Sequence, residues 1–522
     1  MLDPSSAPAH SHDAKRHRLF ETGHLQKNLR ARSVRGAAAT VVSQGLRFLV
    51  QLAGMAVLAR LLVPADFGVF AKTIAITGFI AVIRTGGLSV ATVQHAEITH
   101  RQVSNLFWLN AALGLLSGLL VAALSPAIAH FYGDPRVLLL AASLGGVVLI
   151  SSLGVQHAAL MQRQMRFSEL AVIGAVSPIA GFSVAILSAL AGAGFWALLI
   201  QQLVTEATSL ILVLVKCHWM PGPPRRGSGV RPMVKLGAYL SVTNILNFAS
   251  RNTDNVLIGR FVSDVALGYY AIAYRLLLLP MQQINAPVTA VVLPGLSRLQ
   301  HDPDRYARFY YRAVGLMVFI TMPAACFLLV DARSLVLLVL GPRWLPVVGI
   351  FQALSVAAFI GTFSAATTWV FNSLGRTDRQ FRWQVVAVPL TILAFVLGLR
   401  WGAWGVAVAF STSQVLMLVP SLQYCYRDTS LSLKSTLATL QRPAVAAMAA
   451  SGALWLAQRV VPSWQVAWLP LDALLFGVAY AAAWWILPGG RDYLRRCVGL
   501  LMELAPGARR KHIDDGTADP RH

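Results

Sequence analysis

Arg47, Lys72, Arg251 and Arg275 each interrupt a stretch that is otherwise apolar enough to cross a membrane, and they form two pairs about two hundred residues apart. On insertion scales a basic residue at the bilayer centre costs roughly 2.5 to 3.5 kcal/mol, so four near mid-depth oppose insertion by on the order of 10 kcal/mol unless they meet water, a counter-charge or a ligand. Side chains of this type hold anions, phosphates above all, through charge-assisted hydrogen bonds.

Polar neighbours extend the two arginine positions into stripes. Thr40, Gln44, Arg47 and Gln51 are spaced 4, 3 and 4 apart, and Asn244, Asn247, Arg251 and Asp254 are spaced 3, 4 and 3 apart. Either spacing keeps its members on one face of a helix. The amides suit hydrogen bonds to sugars. The acidic members are Asp254 and Glu206, the latter in the stripe Gln202, Thr205, Glu206 and Ser209. Both are candidates for a counter-ion or for the carrier of a coupling proton or sodium ion, while a structural pair with Arg251 fits Asp254 and helix packing fits Glu206. Each cation also has a plainer reading, in which it snorkels to the headgroup layer or pairs structurally. That reading is the better account of Arg84 and Asp472.

The elements that carry these stripes follow from composition. The 522 residues are 56% hydrophobic and 12% charged, with a mean hydropathy of +0.61. Such values exclude a water-soluble globular domain of this length and indicate an all-α polytopic membrane protein. The net charge of +23 is dispersed over short loops and two tails, which argues against a nucleic-acid partner. Runs of about 20 residues, enough to span the hydrocarbon as helix, occur near residues 36–58, 68–90, 104–128, 137–160, 168–190 and 195–215 (spans 1 to 6). Spans 7 to 12 lie near 236–258, 266–290, 309–330, 345–370, 382–400 and 403–425, and spans 13 and 14 near 440–461 and 466–487.

With the N-terminus in the cytoplasm, the basic clusters of the first 35 residues, of 216–235, of Arg298 to Arg312, of Arg376 to Arg382 and of the C-terminal tail all fall inside. The outer loops then hold mostly single cations such as Arg60 and Arg260, as the retention of Lys and Arg on the cytoplasmic side requires. The expected organisation is a basic tail (1–35), a six-helix bundle (36–215), a linker (216–235) with the run Pro221-Gly222-Pro223-Pro224-Arg225-Arg226, a second six-helix bundle (236–425), a further linker and helix pair (426–487) and a second basic tail (488–522).

Across the linker the chain repeats at an offset of 200. Gln44 matches Asn244, Phe48 Phe248, Arg60 Arg260, Gly68 Gly268, Phe70 Tyr270 and Ala71 Ala271; later Gly194-Phe195-Trp196 matches Gly402-Ala403-Trp404. Two halves of like orientation are parallel repeats, and in such transporters the substrate site lies at the repeat interface.

Other signals are structural. Gly114 and Gly118 form a pair for close helix contact. Trp108, Trp344, Trp464, Trp468, Trp484 and Trp485 sit near expected span ends as interfacial anchors. Asp66-Phe67-Gly68 reads as a turn, and Cys217, Cys326, Cys425 and Cys497 are too far apart for a metal or redox pair and read as small apolar fillers. No motif for a metal, a cofactor or a nucleophile is visible, so no cofactor is expected and covalent chemistry is not indicated.

The segment Leu58 to Ala71, the turn Thr85-Gly86-Gly87-Leu88, the string Leu160 to Phe167 and the string Asn372 to Asp378 resemble the polysaccharide-exporter branch of the multidrug/oligosaccharidyl-lipid/polysaccharide flippase superfamily. The resemblance covers spans 1 to 12. It implies a transporter that flips an undecaprenyl-pyrophosphate-linked oligosaccharide repeat unit from the cytoplasmic to the periplasmic leaflet of a bacterial inner membrane by alternating access. It also implies a cavity lined by spans 1, 2, 7 and 8, which carry Arg47, Lys72, Arg251 and Arg275 here, and a groove for the lipid tail at spans 13 and 14. The partners would be the lipid-linked glycan, membrane lipids and the polysaccharide polymerase and export machinery. Two other readings stay open: a cation-coupled multidrug exporter of the same superfamily, and a membrane-embedded polysaccharide polymerase or ligase, which would need a long periplasmic loop.

Overall fold

The computed structural model describes residues 29–84, 88–95, 98–225, 229–460, 469–491 and 493. Apolar runs bounded by Pro, Gly, Asp and Thr give helices joined by short connections, with no strand among the described residues. They are α1 (Leu29–Leu61), α2 (Pro64–Arg84), α3 (Leu88–Gln94), α4 (His100–Tyr132), α5 (Arg136–Arg163), α6 (Phe167–Leu190), α7 (Trp196–Cys217), α8 (Arg231–Phe261), α9 (Asp264–Arg298), α10 (Pro303–Val330), α11 (Ala332–Val339), α12 (Val347–Ser373), α13 (Thr377–Gly398), α14 (Gly402–Tyr426), α15 (Leu433–Val460) and α16 (Leu469–Ile486). Each expected span falls on a helix, span 2 being divided between α2 and α3. Among the described residues ten segments are long and apolar enough to cross a membrane, one of them, Thr377–Tyr426, running through both α13 and α14. The more polar α1, α8 and α15 are not among them, so the expected count of fourteen exceeds what length and apolarity establish.

Local chemistry sets the helix ends. The Thr99 hydroxyl accepts from the Gln102 backbone while the Gln102 side chain takes the Thr99 N–H, a capping box that starts α4. Gly133, at φ 66°, ends the same helix in the left-handed conformation that favours glycine. Asp66-Phe67-Gly68 lies in the first turn of α2 rather than in a loop, with Pro64 as its first residue and the Asp66 carboxylate accepting from Val63 N.

The chain divides into two compact units, one extending to Ile272 and the other starting at Ala273. In the first, α4 crosses α5 at the expected small residues: a Cβ on Gly118 would run into the Gly145 carbonyl oxygen and the reverse holds for Gly145, while Gly114 abuts Ser152. Leu106, Phe107, Leu160, Met161 and Trp219 form a buried cluster. The linker is strapped down beside it: Trp108 Nε1 donates to Gly222 O, Gly222 N to Ser104 Oγ, and Asn105 exchanges hydrogen bonds with the Arg225 backbone. Helix α8, beyond the linker, packs on α2 and α3 in this same unit.

The second unit packs α10 against α12 and α15, α12 and α13 against α14, and α15 against α16. Its core is aromatic and polar at once. Tyr310 and Tyr426 share a hydrogen bond of 2.9 Å, and Thr436 donates to Tyr426 at 3.0 Å, which satisfies hydroxyls that would otherwise be costly to bury.

Large apolar side chains also face outward, as in Leu116 at 64% exposed, Leu187 at 66% and Leu416 at 71%. A surface of this kind is stable only against lipid, and the molecule is a multi-pass membrane protein. Two tryptophans differ from expectation. Trp344 and Trp484 are fully buried, packing terms having outweighed the interfacial preference of an indole, whereas Trp108 and Trp485 are exposed; Trp464 and Trp468 lie outside the described residues. Cys217, Cys326 and Cys425 are buried free thiols, and Cys497 lies outside the described residues.

Candidate functional site

The stripe of α1 places Arg47 at the surface with Gln44 and Gln51 half-buried beside it, and the stripe of α8 places Asn244 and Arg251 at the surface. The side chains of Thr40, Asn247 and Arg84 lie outside the described ones. Arg275 on α9 is exposed as well. Among the described residues no carboxylate forms an ion pair with Arg47, Arg251 or Arg275.

Lys72 is different. It is 2% exposed, with Nζ 2.7 Å from Asp134 Oδ2 and 2.6 Å from Asp264 Oδ1. Arg136 closes the ring, its Nη2 lying 2.9 Å from Asp134 and 2.6 Å from Asp264. Two cations and two carboxylates thus neutralise one another where α2, the α4–α5 turn and the start of α9 meet. Burial opposes the charge on Asp134, yet hydrogen bonds from Arg136 and Lys72 outweigh it and hold this carboxyl at about 2. Tyr132 adds its hydroxyl to the Lys72 carbonyl at 2.9 Å.

Asp254 is 3% exposed and takes the Tyr270 hydroxyl at 2.7 Å. Its partner is thus a neighbouring tyrosine of α9 and not Arg251, which lies one turn back on the same helix. Glu206 is half-buried on α7.

A family model described as "Polysaccharide biosynthesis protein" matches residues 57–349. The chain belongs to this family. It is 26% identical over 421 residues to the lipopolysaccharide biosynthesis protein WzxC of Escherichia coli (strain K12), covering 78% of this chain and 85% of WzxC. It is also 26% identical to the succinoglycan biosynthesis transport protein ExoT of Rhizobium meliloti (strain 1021), over 69% of this chain and 73% of ExoT. The fold matches the lipid II flippase MurJ in an inward closed conformation, with a TM-score of 0.68 and 15% identity over 86% of this chain and 98% of MurJ. The superfamily resemblance carried by Leu58 to Ala71 and by the two later strings is thereby upheld.

In this family member two features bear on the site that spacing alone did not reveal. The first is a reciprocal crossing. A Cβ on Gly68 would overlap the Asp264 carbonyl oxygen, and one on Gly268 would overlap the Pro64 carbonyl oxygen. Since 64 and 264, like 68 and 268, are partners in the offset of 200, α2 and the start of α9 touch across a local twofold relation, backbone against backbone. The repeat register matched Gly68 to Gly268 but could not say that they meet. The charge ring around Lys72 lies one turn along α2 from this crossing.

The second feature explains the strings on which the resemblance rests. Met165, at φ 56°, and Gly375, at φ 67°, each end a helix in the left-handed region. The next residue in each case closes the turn, Arg166 N to Met161 O at 3.0 Å and Arg376 N to Phe371 O at 2.8 Å, the pattern of a Schellman motif. Each arginine then reaches a carbonyl at the end of the helix paired with its own: Arg166 to Lys216 O at 2.9 Å, Arg376 to Arg427 O at 2.9 Å and Asp428 O at 2.8 Å. Leu160 to Phe167 and Asn372 to Asp378 are one structural device written twice. Comparing residue types at a fixed offset misses it, because what repeats is a backbone conformation that methionine occupies once and glycine once.

Proposed function

We propose that this family member is a flippase that moves an undecaprenyl-pyrophosphate-linked oligosaccharide repeat unit across a bacterial inner membrane, for exopolysaccharide or lipopolysaccharide assembly, by alternating access. Dragging a pyrophosphate and several sugars through hydrocarbon costs several kcal/mol for each unsatisfied polar group, and a hydrated, cation-bearing path removes that barrier. The observation that carries the reading is the family match combined with Arg47, Arg251 and Arg275, three cations on otherwise apolar helices with no carboxylate ion pair among the described residues. Arg47 and Arg251 take the pyrophosphate, and Gln44, Gln51, Asn244 and Asn247 take sugar hydroxyls. Lys72 contributes indirectly, by holding α2 against α9. Asp254, buried beside Tyr270, and Glu206 are the candidates for carrying a coupling ion.

The chain crosses the membrane fourteen times in this reading, as two six-helix repeats and a final pair, α15 and α16, beside which the polyprenyl tail travels. Both tails are cytoplasmic, and the glycan polymerase and export machinery act on the product. The protein acts as a transporter and not as an enzyme. The relatives named for lipopolysaccharide biosynthesis and succinoglycan transport support this over a multidrug exporter, which would favour an acidic and aromatic cavity.

A strain lacking the gene is expected to accumulate lipid-linked repeat units in the cytoplasmic leaflet, and the wild-type chain to clear them. Arg47→Ala and Arg251→Ala, each expressed at wild-type level, should leave at least a tenfold deficit in surface glycan, since each removes a charge-assisted contact of about 1.5 to 3 kcal/mol. Full rescue by both would reject the assignment of these residues. Efflux of cationic dyes indifferent to Arg251 would favour the multidrug reading.

A further inference from the structure

Asp331 lies between α10 and α11, Gln458 in the last turns of α15, and Asp472 in the first turn of α16. The folding of the second unit brings the three together: Gln458 Nε2 lies 3.4 Å from Asp331 Oδ1 and 3.3 Å from Asp472 Oδ2. Asp331 is 2% exposed and Asp472 6%, and Asp331 Oδ2 has no hydrogen-bond partner among the described residues. No ion pair reaches either carboxylate among them. Two charged groups sit on the neighbouring elements. Arg333 of α11 is exposed, and the Arg459 guanidinium of α15 lies 3.8 Å over the Trp455 ring; on α10, five residues before Asp331, the described titratable side chain is the buried Cys326 thiol.

Two carboxylates that share one neutral donor, out of water and without a cation, do not both ionise, since each desolvated charge raises the cost of the other. We infer that Asp331, Asp472 and Gln458 form a proton-binding site that holds one proton between the two carboxylates. A proton supplies what the orphaned Oδ2 lacks. A metal ion fits less well, because Gln458 presents its N–H₂ to both acids, a donor that favours carboxylates and repels a cation. Burial, with the Asp472 charge adding to it, raises Asp331 to about 6 against the pull of the Ser334 hydroxyl and the Gln458 amide.

The site acts on α16. With the proton bound, the first turn of α16 stays against α10 and α15; with it released, two like charges face each other and that contact weakens. Further along, α16 remains held by the Tyr480 hydroxyl on Phe319 O at 3.0 Å and by Trp484 beside the Phe319 ring at 5.4 Å, so one end loosens while the other stays fixed. The inference requires nothing about the cargo.

The sign follows from linkage. A carboxyl whose folded-state pKa is raised adds stability at low pH, and that stability is lost as pH rises through about 6. The test uses the full-length protein in lipid nanodiscs at about pH 5 and about pH 7.5, on either side of that value, with infrared difference spectra and thermal unfolding as readouts. The wild type is expected to show a protonated-carboxyl band at the lower pH that vanishes at the higher one, together with a lower unfolding midpoint at the higher pH. Asp331→Asn and Asp472→Asn, each imitating the protonated form, should lose the band and most of the midpoint difference, whereas the loop variant Asp428→Asn keeps both. Gln458→Leu, which removes a donor to the charged form, should move the band's titration to higher pH. Retention of band and midpoint difference in both Asp→Asn variants would overturn the site. So would excess sodium ion restoring the wild-type midpoint at the higher pH with the band still absent, which would mark a metal site instead.

Discussion

Lys72 shows how a charge read as a substrate contact can be committed elsewhere. With its side chain 3% exposed and its nitrogen bonded to two carboxylates, its removal leaves Asp134 and Asp264 facing each other with only the half-exposed Arg136 between them. Lys72→Ala is expected to destabilise the protein by about 3 kcal/mol, because breaking a buried pair strands the partner's charge, as read by the unfolding midpoint in detergent. The pH dependence has a definite sign. Asp134 is held at about 2, below its ordinary value, so its contribution is complete at neutral pH and is lost only as pH falls from about 4 toward 2. Asp134→Asn should abolish that acid limb of the stability profile. Tyr270→Phe removes a donor from a buried carboxylate and should cost about 1 to 3 kcal/mol, as read by the unfolding midpoint.

Among elements, the decisive contact is the crossing of α2 with the start of α9. Any side chain at Gly68 or Gly268 forces two backbones apart, so Gly68→Ala and Gly268→Ala should each destabilise by more than about 1 kcal/mol, the ordinary helix preference for alanine over glycine being reversed. An increase in unfolding midpoint for either would contradict the backbone contact. The paired arginine turns operate at the same scale. Arg166→Ala and Arg376→Ala each remove a donor from helix-end carbonyls, Lys216 O then keeping only His218 Nδ1 and Arg427 O only Arg379 Nη1 among the described side chains, and both should increase hydrogen exchange at the ends of α7 and α14 respectively.

For the whole molecule, the proposed fourteen crossings, with basic clusters retained on the cytoplasmic side, predict that a reporter fused after His522 is active only in the cytoplasm; activity on the opposite side would remove one crossing from the count. Much of this architecture was legible along the chain. Runs of apolar residues long enough to span hydrocarbon reveal helices because lipid leaves the backbone no other way to satisfy its hydrogen bonds, and the small pair Gly114 and Gly118 correctly marked the α4–α5 crossing. What the stripes could not say was which cations already have partners. Asp134 and Asp264 are 62 and 192 residues from Lys72, and neither lies on a stripe, so no periodicity points to them. Trp344 and Trp484, placed by position at the membrane surface, are buried in the second unit for a similar reason: proximity to a helix end says nothing about what packs over it.

Sequence by itself determined the class of molecule, its duplicated register and the family to which it belongs, because hydrophobic length, local turn chemistry and repeated residue types are properties of segments. Tertiary structure alone decided that Lys72 is neutralised while Arg47, Arg251 and Arg275 meet no carboxylate among the described residues, that Gly68 meets the backbone opposite Gly268, and that Asp331 and Asp472 share one amide. Electrostatic interactions act between neighbours in space whatever their separation along the chain, and only packing makes distant residues neighbours.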